Sequence, residues 1–215
     1  MTPHVIIVTS DRSLMASPIP LTTTWFYAGG PAAKRNYAMA RTSTEFAAFL
    51  DDDVEVDPTC LFECVGWMRA HPACGMTFAK IYKMEEGRRD EFDDCGSWIT
   101  PMGFLWARAG NGQRDRGQYS VPERVLASKS ATCVVRRRAF DDAGGFDPSY
   151  YILGEETDLA YRLWFRGWDC WYVPTAVSWH AFGCDTLKPK GVYYTDERIF
   201  YRGAKNYLSL LWTYF

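Results

Sequence analysis

The run Phe46-Ala47-Ala48-Phe49-Leu50 ends abruptly in three adjacent carboxylates, Asp51-Asp52-Asp53. Burying such charges is costly, so the run reads as a strand whose open end faces solvent, a cation or a ligand. In an open α/β sheet that carboxyl edge is where ligands bind. Clustered hard oxygen donors suit Mg2+ or Mn2+, which in turn suit the phosphates of a nucleotide. The plain alternative is a solvated turn whose acids cap the helix beginning near Pro58. A second acidic group, Glu155-Glu156-Thr157-Asp158, opens a helical pattern. Acids in a first turn are stabilised by the helix dipole. Capping needs only one, however, and three at once repel one another.

The elements that must position these groups alternate between strands and helices, the mark of an α/β fold. Val5–Val8 reads as a buried strand and Thr23–Tyr27 as a second. Pro18 and Pro20 argue against a crossover helix between them. Gly29-Gly30-Pro31 is a turn opening a helix over Ala32–Arg41. After the acidic strand come a helix from Pro58 to Ala70 and a strand over Met76–Tyr82. Residues 85–125 are charged and glycine-punctuated, and read as loops and short strands. Order resumes with a strand over Ser130–Val135, a short helix to Ala143 and the turn Gly144-Gly145-Phe146-Asp147. A helix over Glu155–Arg166 stops at Gly167. Trp171–Val173 and Ala176–Trp179 are short strands, and Asp196–Tyr214 is an aromatic amphipathic helix.

Composition narrows the function classes. The chain has 215 residues and a net charge of −2, which argues against a nucleic-acid partner. Seven cysteines without metal-ligand spacing suggest free thiols in a reducing, cytoplasmic setting. No apolar stretch is long enough to span a bilayer, and the N-terminus carries no basic-then-apolar signal. A single domain is expected over 1–215, acting as a monomer.

Several of these pieces together resemble the GT-A-fold glycosyltransferases of family 2. They are Gly29-Gly30-Pro31-Ala32-Ala33-Lys34-Arg35-Asn36, Phe49 to Asp53, Gly144 to Asp147, Gly154 to Leu163, and Val177-Ser178-Trp179-His180. The resemblance implies one α/β domain with a mixed, mainly parallel sheet, its nucleotide-binding half at about 1–84 and its acceptor-binding and catalytic half at about 85–215. It implies metal-dependent transfer of a hexose from a nucleoside diphosphate sugar, most simply UDP-linked, to a hydroxyl of a glycan or glycoprotein. By the same resemblance Asp53, Asp51 and His180 hold Mn2+ or Mg2+, with Asp51 also near the ribose and Asp52 beside it. Thr9, Ser10, Asp11 and Arg12 lie where the base and ribose are received. Lys34 and Arg35, and later Arg202, Lys205 and Asn206, meet the phosphates; a solvated helix face is the alternative for both sets. A carboxylate in the Glu155–Asp158 cluster is the general base. The family's Glu-Asp-x-Asp pattern puts Glu156 on that position, with Glu155 and Asp158 holding acceptor or helix.

Two departures matter. Glu156 replaces an Asp, which leaves open which carboxylate is the base and whether the anomeric configuration inverts. The helix and strand usual between the first strand and the Gly-rich turn are also shortened, as in the similar glycosyltransferase domains encoded by large algal viruses, whose setting would be a host cytoplasm. Trp98, Trp106 and Lys129 are candidate sugar or acceptor contacts by position. A sugar-nucleotide pyrophosphorylase would need a glycine-rich phosphate loop after the first strand, where Ser10-Asp11-Arg12-Ser13-Leu14 stands instead. A glycoside hydrolase would need no metal cluster. A non-catalytic sugar-binding module would tolerate loss of Glu156.

Overall fold

The computed structural model describes residues 4–9, 22–26, 30–84, 89–101, 105–109, 113–181 and 197–215, the first two segments as backbone only. The central sheet runs in the order β2-β1-β3-β10-β5-β11-β4. Its strands are β1 (His4–Thr9), β2 (Thr22–Phe26), β3 (Phe46–Asp51), β4 (Val54–Val56), β5 (Cys74–Lys83), β10 (Thr132–Arg136) and β11 (Asp169–His180). Between β5 and β10 lie β6 (Phe92–Asp94), β7 (Ser97–Ile99), β8 (Leu105–Ala107) and β9 (Glu123–Arg124). The helices are α1 (Pro31–Met39), α2 (Cys60–Ala70), α3 (Arg137–Asp142), α4 (Glu155–Phe165) and α5 (Glu197–Tyr214).

The strand period of two explains how the sheet is covered on both faces. Along β3, Ala47 and Phe49 point into one core with α1, α3 and α4, among Phe140, Phe146 and Leu159. Phe46, Ala48 and Leu50 point the other way, onto Cys60, Cys64, Val65 and Met68 of α2. A strand buried on both faces reads as an unbroken apolar run, and only Asp51 at its end is half-open.

The sheet is mixed, but not mainly parallel as expected. β1 pairs parallel with β2 and β3, and β5 with β11. The pairings of β10 with β3 and β5, of β11 with β4 and β9, and of β5 with β6 are antiparallel. The reason is β10: it enters between β3 and β5 in the opposite direction, so every contact it makes is antiparallel. The two short strands expected near the end of the sheet are one strand, β11, whose register with β5 jumps between Val173 and Val177. Pro174, which lacks the N–H a regular ladder needs, sits in that irregularity. Six cysteines, at 60, 64, 74, 95, 133 and 170, are free and buried. Among the described residues, no helix is long and apolar enough to cross a membrane.

Candidate active site

The acidic strand end and the last sheet strand meet through β4. β4 starts three residues after β3 ends and lies antiparallel to the end of β11, with Val54 opposite His180. The Ala181 N–H donates to the Asp53 carbonyl at 2.9 Å. His180 Nε2 therefore stands 3.2 Å from Asp53 Oδ1. One ligand atom each from Asp51, Asp53 and His180 can be chosen so that all lie within 4.8 Å of one another. Two carboxylates and an imidazole are a donor set suited to Mn2+, and to Mg2+ through the carboxylates. Asp52, between them, is exposed. Burial pulls the His180 pKa down, but hydrogen bonds and charge from Asp53 and Asp93 outweigh it and raise it to about 9.

Arg35 joins this cluster to the second one. Its guanidinium is 1 % exposed and lies against the rings of Phe49 and Phe146. One nitrogen donates to Asp51 Oδ1 at 2.9 Å and the other to Glu155 Oε1 at 3.0 Å. In this geometry Arg35 is closed to a phosphate: both ends of its fork are occupied by carboxylates. The neighbouring Lys34 is half-buried, and its pKa is lowered by burial against the opposing pull of Asp52 and Asp51.

The turn Gly144-Gly145-Phe146-Asp147 fixes where α1 and α4 stand. Gly145 has φ +73°, a conformation glycine adopts without strain. Asn36 of α1 clamps the next residue, donating to the Phe146 carbonyl at 2.7 Å and accepting from its N–H at 2.9 Å. Arg162 of α4 donates to the Gly145 carbonyl at 2.6 Å. Gly30 is needed for a different reason, since a Cβ there would lie 2.2 Å from the Tyr151 carbonyl oxygen.

The three acids that open α4 have separate surroundings. Glu155 is buried, with one oxygen on Arg35 and Oε2 without a partner among the described residues. Asp158 is buried and held by Arg162 and by the Tyr214 hydroxyl, which donates to its Oδ1 at 2.6 Å. Glu156 is half-buried, takes a hydrogen bond from the Thr157 hydroxyl at 3.3 Å, and has no salt bridge among the described residues. Burial and the neighbouring Glu155 carboxylate push its pKa up to about 8, against a weaker opposing pull from Arg35.

Asn206 of α5 has a different place from the one expected. It is buried, and its amide nitrogen faces the carbonyls of Tyr150, Ile152 and Leu153 at 2.7, 2.9 and 2.8 Å. That loop contains two non-glycine residues at positive φ, Tyr151 and Leu153. Arg202 lies 4.2 Å from the Tyr151 ring centroid, and Lys205 is exposed. Thr9 ends β1, where Val8 pairs with Asp51; its side chain, with Ser10, Asp11 and Arg12, lies outside the described residues. Trp98 and Trp106 face each other across the β7–β8 hairpin and are exposed. Lys129 donates to Asp93. Asp93, whose Oδ2 lies 2.9 Å from His180 Nδ1, carries no sequence signal, because that contact spans 87 residues of the chain.

Residues 47–214 match the family model described as glycosyl transferase family group 2. The chain is 32 % identical over 155 residues to a pre-mycofactocin glycosyltransferase of Mycobacterium tuberculosis, a match covering 70 % of this chain and 30 % of that protein. It is 44 % identical over 87 residues to the N-acetylglucosaminyl-diphospho-decaprenol L-rhamnosyltransferase of the same organism, covering 40 % and 28 %. These matches span less than a third of the curated relatives' own length. In fold the chain is similar to GalNAc-T7, solved with UDP, GalNAc and Mn2+, at a TM-score of 0.69 and 15 % identity over 98 % of this chain and 47 % of that one. It is also similar to the Pyrobaculum calidifontis mannosyltransferase PcManGT, solved with GDP-Man and Mn2+, at a TM-score of 0.55 and 14 % identity over 97 % and 64 %.

Proposed function

Since the chain belongs to glycosyl transferase family group 2, we propose that it transfers a hexose from a UDP-sugar to a hydroxyl of a glycan or glycoprotein acceptor. The observation that carries this reading is the link through Arg35. One guanidinium ties the Asp51–Asp53–His180 cluster to the acids at the start of α4, so a cation site and a base share one sheet edge. Solved structures of similar fold hold nucleotides or nucleotide sugars with Mn2+, which supports a metal-bound donor here.

In this mechanism Asp51, Asp53 and His180, its ring proton displaced on binding, would hold Mn2+ or Mg2+. The ion would supply Lewis-acid neutralisation of the charge that collects on the leaving diphosphate. Thr9 to Arg12 receive the base and ribose, and Lys34 meets the diphosphate from α1. Arg202 and Lys205 approach it from α5. The acceptor oxygen attacks the anomeric carbon as the bond to the diphosphate breaks, with the bonding electrons leaving on the phosphate oxygen. The acceptor proton passes to the Glu156 carboxylate. A base with a pKa near the working pH is the efficient choice for such a transfer, and the position of Glu156 beside Glu155 supports that role. Glu155 holds Arg35, and Asp158 ties α4 to α5. Residues 1–84 serve chiefly the donor and residues 85–215 the acceptor and the catalysis, with His180, Arg202 and Lys205 reaching back to the metal and the diphosphate. The likeness to algal-virus domains concerns residues before Gly30, and it names neither donor nor acceptor.

Calorimetric titration of UDP, GDP and dTDP, each with and without Mn2+, tests the donor reading. Binding of UDP that requires Mn2+ is the expected result. Metal-dependent binding of GDP alone would move the donor to a guanosine diphosphate sugar. Absence of binding under every condition would overturn the transferase reading in favour of a sugar-binding module.

A further inference from the structure

We propose that Asp93 is a positioning residue for the metal site, fixing the His180 ring so that Nε2 faces Asp51 and Asp53. This inference rests on the metal reading above and adds a residue from a region with no recognisable motif. A histidine ligand needs its second ring nitrogen anchored, because the ring otherwise rotates and either nitrogen can carry the proton. His180 Nδ1 lies 2.9 Å from Asp93 Oδ2, while Nε2 points to Asp53. Asp93 is itself held: its side chain is buried, and Lys129 Nζ donates to Oδ1 at 2.5 Å.

The backbone shows how Asp93 comes to point there. β6 runs antiparallel to β5, with Ile81 opposite Asp94 and Tyr82 opposite Phe92. One step on β5 is matched by two on β6, so Asp93 is the extra residue of a bulge. Bulges re-aim a side chain and cluster beside active sites. The adjacent Asp94 is spent differently, accepting from the Gly96 N–H at 2.6 Å and the Lys129 N–H at 3.0 Å. Asp94 thereby fixes the backbone of the residue whose ammonium holds Asp93. The chain Lys129–Asp93–His180 thus runs from the edge of the sheet to the proposed cation, with each member held by the one behind it.

The test is Mn2+ affinity, measured by calorimetry at saturating UDP on wild type, D93N, H180A and the double variant. We expect D93N to weaken Mn2+ binding by about 10–100-fold. If Asp93 acts through His180, the double variant binds no more weakly than H180A alone, a non-additivity that a merely structural role would not produce. Losses that add in the double variant, or wild-type affinity in D93N, would overturn the assignment of Asp93 alone. Wild-type affinity in H180A, or no metal binding by the wild type, would overturn the metal reading beneath it. If D93N does not fold, as judged by circular dichroism, D93S takes its place in the same cycle. Additive losses in that cycle, or wild-type affinity in D93S, would again count against Asp93.

Discussion

Two acidic clusters of nearly the same composition meet at this sheet edge, and they are treated in opposite ways. Asp51, Asp52 and Asp53 remain half-open or exposed, and among the described residues the buried Arg35, His180 and the half-buried Lys34 stand against them. At the start of α4, Glu155 and Asp158 are buried and each is matched to an arginine, leaving Glu156 without one. The first cluster is open to water and ions, and in the proposed mechanism it receives a divalent cation. The second has one carboxylate left over in a half-buried setting, and its surplus is relieved by a proton. In the proposed mechanism the carboxylate therefore serves metal binding in one region and proton transfer in the other, according to how much counter-charge and solvent surround it.

The sharpest way to break this comparison is to remove a member of each surplus. D53A is expected to reduce metal-dependent turnover by at least about 10^2–10^3-fold, the scale of losing a principal electrostatic contact in the transition state. Steady-state rates at saturating Mn2+ read this, and a wild-type rate would remove Asp53 from the metal set. E156Q is expected to lower kcat by about 10^2–10^4-fold, as loss of a general base does, while UDP affinity measured by calorimetry stays unchanged. Normal transfer by E156Q would place the base elsewhere.

The raised pKa of Glu156 gives the comparison a sign. A base works ionised, so wild-type kcat/KM should rise as pH climbs through about 8, and this rise should be absent in E156Q. Stability should move the other way. A carboxyl whose folded pKa lies above its ordinary 4.5 contributes fully below that value, and the contribution is lost as pH rises through about 8. Thermal melts between these limits should therefore show Tm falling with pH in wild type and less so in E156Q.

The link between the clusters can be cut directly. R35M leaves the buried Glu155 and the half-open Asp51 without their arginine, and should cost about 3–5 kcal/mol in denaturant unfolding. A loss below about 1 kcal/mol would mean that the pair is more hydrated than its burial indicates. The smallest expected effect is that of N206A, at about 1–3 kcal/mol, because it strands the carbonyls of the 150–153 loop. Limited proteolysis within that loop is the accompanying readout.

Much of the site was legible because it is local. Phe46–Leu50 followed by Asp51 announces a covered strand with an open end, and the Glu155–Asp158 run announces a crowded helix start. What the local pattern does not show involves cations. Arg35 carries nothing in its neighbourhood to show that it is buried between two carboxylates rather than offered to a phosphate. Asn206 reads as part of a basic, exposed stretch but holds three carbonyls of a strained loop. The proportion of parallel pairing was misjudged as well, since no local pattern reveals that β10 runs against its two neighbours.

By itself, then, the sequence determined the family, the alternation of strands and helices, and the chemical types gathered at the sheet edge. The family follows from the resemblance of several motifs taken together, and the rest from periodicity and from carboxylates that a core will not accept unpaired. Only the tertiary structure decided which acid keeps its charge, which is matched by arginine, and which histidine nitrogen faces the cluster. Those outcomes depend on contacts such as Arg35 with Glu155 and Asp93 with His180, 120 and 87 residues apart in the chain. At such separations the fold, and not the local pattern of residues, sets solvent access and counter-charge.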